Sequence, residues 1–181
     1  MKKYLFLALT ITGLSVSSCS DDDNIIDRIR TIDDIPVSVD ASIDYLPINP
    51  FEIPVETDVN LRGALENESG VDNTIDQVED IQLDDLEIEL VSADDQDNFD
   101  FINSVTLGVR TDDLEYKEIA SLNSVPTGQT VIELETTDDY LDEYAKSTSL
   151  KLVVKFDSTE DANDLKVRLN LELEAKIDPS L

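Results

Sequence analysis

The chain has 181 residues, with 42 Asp or Glu against 13 Lys or Arg, for a net charge of −29. That field excludes nucleic acid and anionic membrane surfaces as electrostatic partners, because both are bound through a basic face that displaces counterions. No histidine and a single cysteine also exclude Ser-His-Asp and Cys-His nucleophile systems, the usual zinc centres and any disulfide within the chain.

The first segment reads as an export signal. Lys2 and Lys3 precede an apolar run over residues 4–14, and Ser15, Ser17 and Ser18 lead into Cys19. This order is that of a secretory signal peptide, and the run is too short to span a bilayer permanently. The ending Val16-Ser17-Ser18-Cys19 resembles the lipobox of bacterial lipoproteins. That resemblance implies a diacylglyceryl group on the Cys19 sulfur, cleavage after Ser18 and acylation of the new amine. At about 0.8 kcal/mol per buried methylene, two or three chains hold a protein to its membrane stably where one does not.

The next four residues, Ser20-Asp21-Asp22-Asp23, resemble the export signal of Bacteroidetes surface lipoproteins. That likeness implies the outer leaflet of the outer membrane. The alternative is a solvated acidic tether on a periplasm-facing lipoprotein. Taken together, the chain is similar to small Bacteroidetes-type outer-membrane lipoproteins. Loss of residues 1–18 removes Lys2 and Lys3 and no acid, which moves the net charge from −29 to −31.

Residues 19–34 are expected to be the lipidated cysteine and its tether, and residues 35–181 a single domain. From Ile35 the pattern is period two: Val37, Val39, Ala41, Ile43 and Tyr45 share one face of a strand. Pro47 and Pro50 make a turn. Phe51, Ile53, Val55, Thr57, Val59 and Leu61 follow as a second strand, which Pro54 assigns to a sheet edge. Residues 62–79 read as a long loop with a helical turn near Ile75 and Val78. Ile81 and Leu83 fall out of phase with Leu86, Ile88 and Leu90, which predicts a β-bulge at Asp84-Asp85.

An acidic loop over residues 94–100 leads to a strand with Val105, Leu107 and Val109. Residues 114–122 suit a distorted strand or a short helix. After the turn Val125-Pro126-Thr127-Gly128 comes a strand with Ile132 and Leu134. Thr136 and Asp139 form an acidic capping box, predicting a helix over residues 136–146. Leu150, Leu152, Val154 and Phe156, then Leu165, Val167, Leu169, Leu171, Leu173, Ala175 and Ile177, predict a closing antiparallel hairpin. Its lysines 151 and 155 would meet Glu172 and Glu174 across the sheet. The expected fold is all-β, an antiparallel, immunoglobulin-like β-sandwich of about seven strands with one short helix.

Candidate chemistry is sparse. Glu133 with Glu135, and Glu172 with Glu174, are paired carboxylates on strand faces. Without a tryptophan or a cleft they suit solvated surfaces better than glycoside hydrolysis. Calcium is the cofactor this composition allows, through Asp94, Asp95, Asp97 and Asp100 in one loop and Asp157, Glu160, Asp161 and Asp164 in another. Neither loop has EF-hand spacing. Phe99 and Phe101 flank the first loop and are expected to pack beneath it. The function expected is a membrane-anchored, non-enzymatic binding module of the outer envelope, acting on another envelope protein. The alternative is a calcium- or glycan-binding surface accessory.

Overall fold

The computed structural model describes residues 30–48, 53–69 and 75–178. Residues 1–18, Cys19, Ser20, Asp21, Asp22 and Asp23 lie outside them, as do Pro50, Phe51 and Gly70 of the expected turn, strand and loop. Two antiparallel sheets form an all-β sandwich. The first has the order β1 (Arg30–Leu46), β9 (Ala162–Ile177), β3 (Val78–Asp94) and β6 (Val131–Glu133). The second has the order β2 (Ile53–Asp58), β8 (Lys151–Ser158), β4 (Ile102–Arg110), β5 (Lys117–Leu122) and β7 (Glu135–Thr136).

Strand β9 is the spine of the first sheet. Leu165, Val167, Leu169, Leu171, Leu173, Ala175 and Ile177 all point into the core, and each alternate residue is exposed or partly exposed. This period-two burial fixes register strongly, because a slip of one residue would turn every leucine outward. Leu169 accordingly sits opposite Val39 of β1 on one side and Ile88 of β3 on the other.

The two sheets differ in length. Strands β1, β3 and β9 have 16 or 17 residues, whereas β8 has 8 and β4 has 9. At ~3.3 Å per residue the first sheet is about 53 Å long along β9, and the second about half that. The apolar face that the short sheet leaves over is met by α1 (Leu61–Ser69) and α2 (Asp142–Ala145), which pack on β1 and β3. Leu61, Leu65, Leu141 and Ala145 join Ile35 and Ile81 in the one buried cluster. The Leu141 N–H donates to the Ile81 carbonyl at 2.7 Å, which fixes where α2 lies.

Several expectations are corrected. Strand β1 takes in residues 30–34, which were expected to belong to the tether, and the described residues form nine strands where about seven were expected. The second strand ends at Asp58. Asn60 then caps α1, its side chain accepting the Gly63 N–H at 2.9 Å, so Leu61 opens a helix where a strand end and a loop were expected. The expected helix over residues 136–146 shrinks to Asp142–Ala145. Thr136 lies in β7 and the Thr137 N–H donates to the Ile119 carbonyl at 2.9 Å, so the capping box never closes.

The largest correction concerns the last two strands, which form no hairpin. Strand β8 lies between β2 and β4, while β9 lies between β1 and β3 in the opposite sheet. The short link after Ser158 crosses the sandwich, held by a Ser158 hydroxyl bond to the Pro47 carbonyl at 2.7 Å. Lys151 therefore pairs with Glu56 at 3.8 Å, and Lys155 sits 3.8 Å from the centre of the Tyr116 ring. Neither meets Glu172 or Glu174.

The bulge at Asp84 is where the pattern placed it, between the pairs Leu83↔Leu173 and Asp85↔Glu172. Two more bulges, after Ile32 and after Glu79, contain Asp34 at φ 56° and Asp80 at φ 52°. Aspartate is among the few side chains that tolerate this left-handed region. Strand β2 is an edge strand, as Pro54 predicted.

Candidate functional site

A two-sheet sandwich has two flanks where edge strands lie side by side, and here they are finished differently. On one flank, residues 131–136 pass from one sheet to the other. Glu133 pairs opposite Glu87 in the first sheet, and Thr136 pairs opposite Ala120 in the second. Leu134 sits between them, 3% exposed, with its N–H bonded to the Leu86 carbonyl at 3.0 Å. The Leu90 N–H bonds to the Thr130 carbonyl at 2.8 Å. One run of chain thus ties both sheets together and satisfies groups on each.

On the other flank lie β1 and β2. Among the described residues β1 pairs with β9 alone, and β2 with β8 alone. Val37, Val39 and Ile43 face the core yet remain partly in solvent, because among the described residues no strand pairs with β1 on that side. Tyr45 and Ile48 continue this line at 54% and 59% exposure. Residues 37–46 run along β9 without a register shift, from Val37↔Leu171 to Leu46↔Ala162. Ahead of that stretch, Pro36 and the bulge holding Asp34 interrupt the edge.

The polar faces near this flank carry ordered charge. Arg168 lies between Asp40 and Glu89, at 2.9 and 3.6 Å, linking all three long strands. Ser38 donates to Asn170 at 2.9 Å. On β2, Glu56 accepts from Arg110 at 2.6 Å, and this hydrogen bond holds its carboxyl below the ordinary range. At the far corner Asp161 accepts the Ile48 N–H at 2.7 Å and also bonds the Tyr45 hydroxyl. Partial desolvation, followed by the charge and hydrogen bond of Asp161, raises the Tyr45 phenol above its ordinary value near 10.

The acidic loops take structural duties. Asp94 ends β3 opposite Asn163, Asp95 turns the chain at φ 64°, and Asp97 lies in the bend that follows. Asp100 accepts the Gly128 N–H at 2.6 Å, which pins the turn at Pro126 to this loop. Asp157 accepts from Asn103 at 2.8 Å, and Asp161 serves the corner described above. Among the described residues no group of three or more Asp or Glu side chains is gathered to hold a metal ion. Phe99 and Phe101 are fully buried, stacked at 6.4 Å beneath the first loop, as the sequence suggested. Glu133 and Glu135 fall in different sheets, one on each side of Leu134.

The sequence drew attention to acidic loops, while the geometry draws it to the edge of β1. Only the strand order reveals that edge, and no single strand's pattern encodes the order. No protein-family model matches this chain, and no curated protein matches it in sequence.

Proposed function

We propose that this protein is a lipid-anchored, non-enzymatic binding module of the bacterial outer envelope, held at Cys19 and facing the cell exterior. It acts through contacts with another envelope protein. The observation that supports this most is the flank that the described residues leave unsealed. Residues 37–46 of β1 offer a regular sheet edge backed by part-exposed Val37, Val39 and Ile43. Natural sandwiches blunt or cover such edges because a bare one templates pairing with another chain. Between Cys19 and Arg30 the chain extends at most about 40 Å. The edge is thereby kept near the membrane that bears its partner.

Fractionation tests the anchor. Cys19→Ala is expected to leave the far-ultraviolet circular dichroism unchanged and to move the protein from the membrane to the soluble fraction. Unchanged fractionation would reject the anchor. Chemical cross-linking on intact cells tests the contact: a stoichiometric cross-linked partner is expected, and its absence rejects the binding reading.

A further inference from the structure

We infer that the edge of β1 over residues 37–46 receives an extended segment whose residues alternate between apolar and Lys or Arg. This rests on the binding reading above and names its partner's chemistry. The segment adds to the first sheet as a fifth strand, its main chain bonding the outward N–H and C=O groups of β1.

Side-chain alternation sets the chemistry. Odd-numbered positions of β1 present Val37, Val39, Ala41 and Ile43 toward the core, and all but the small, buried Ala41 are incompletely covered. A strand laid alongside must place apolar side chains over them. Even-numbered positions present Ser38, Asp40, Ser42 and Asp44 to solvent, with no basic residue among them. Opposite charges directly across a strand pair are favourable and like charges are not, so the added strand carries cations on that face. A second copy of this chain is the wrong occupant. It would bring another −31 of charge once residues 1–18 are lost, and set aspartates against Asp40 and Asp44.

The edge also has a defined extent. Below residue 37, Pro36 lacks an N–H and the bulge at Asp34 turns the backbone aside. Above Leu46, the chain leaves the strand at Pro47, whose carbonyl is taken by Ser158. The receptive length is therefore residues 37–46, long enough for a strand of ordinary length.

The test uses the full lipidated chain in neutral detergent micelles and a fluorescent peptide alternating valine and lysine. A control peptide of the same composition places its valines and lysines in two blocks. The alternating peptide is expected to bind at least about tenfold more tightly than the block control. Its binding should also slow amide hydrogen exchange within residues 37–46. Asp44→Lys, an exposed change that leaves the fold alone, is expected to weaken binding by about threefold to tenfold through the reversed cross-strand pair. Equal binding of both peptides would overturn the inference, since net charge alone would then explain it. So would protection appearing elsewhere, or outward amides of residues 37–46 that already exchange slowly in the unbound protein. A chain that dimerises at this edge in sedimentation would overturn it in favour of a second copy. None of these failures touches the anchor, which fractionation reads, or the existence of a cross-linked partner.

Discussion

The flank at Leu134 and the flank at Val39 belong to one sandwich and solve the same difficulty in opposite ways. At Leu134 a single segment crosses between the sheets, is bonded to the Leu86 and Ile119 carbonyls, and excludes water from the core. At Val39 two edges lie side by side, and the core-facing side chains stay partly wet. The difference shows that sealing is local. The buried apolar residues elsewhere in the sandwich do not close this side, because burial of a core face says nothing about the edge beside it.

Truncation on both flanks gives the sharpest contrast. Leu134→Ala is expected to cost about 2–5 kcal/mol, since the side chain is buried and its neighbours belong to two sheets that cannot close the gap. Val39→Ala removes a side chain that water already reaches, and is expected to cost about 1 kcal/mol. Urea unfolding of both variants measures this. Equal costs would mean that the β1 flank is as dry as the other.

The bulge that interrupts β1 gives the next effect in size. Asp34 holds φ 56°, where a β-branched residue is strained by about 1–2 kcal/mol and glycine is not. Asp34→Val is expected to lower the thermal midpoint, and Asp34→Gly to leave it unchanged or raise it. If valine is tolerated, the strand has straightened, the register shift after Ile32 is lost, and the open edge should lengthen toward Arg30. Hydrogen exchange of residues 30–36 would report that directly.

How far this was legible in the sequence depended on whether a feature is local. The apolar series from Leu165 to Ile177 states a strand and its buried face, and the broken phase at Asp84 states a bulge, because each is written in consecutive residues. Pro54 states an edge for the same reason. The pairing of β8 with β9 failed because alternation fixes which face is buried and leaves the neighbour open. A short link after Ser158 fits a hairpin and a crossing between sheets equally well. The helix over residues 136–146 failed because a matching capping pair cannot outweigh two tertiary bonds, from Thr137 to Ile119 and from Leu141 to Ile81. α1 was missed because its buried face rests on Leu61 and Leu65, too few to stand out from a loop. The candidate site was the least legible part. Acidic loops are conspicuous in a chain of this composition, yet Asp100 and Asp161 are spent on backbone N–H groups. The open edge is a consequence of strand order.

The smallest effect lies at the upper corner of the open flank, where Asp161 joins Tyr45 and Ile48 to the link between β8 and β9. The fold raises the Tyr45 phenol above its ordinary value, first through partial desolvation and then through the Asp161 carboxylate. A raised value means that the fold favours the protonated phenol. That contribution to stability is complete below the unfolded value near 10, and it is lost as pH rises through the folded value. Asp161→Asn removes the charge and keeps a side chain able to accept the Ile48 N–H. It is expected to lower the Tyr45 pKa partway toward the ordinary value, with the desolvation contribution remaining, as read by ultraviolet titration of the phenolate. A Tyr45 titration that does not move would place the hydroxyl away from Asp161. The corner would then be held by the Ile48 bond alone, and the open edge would end before Tyr45.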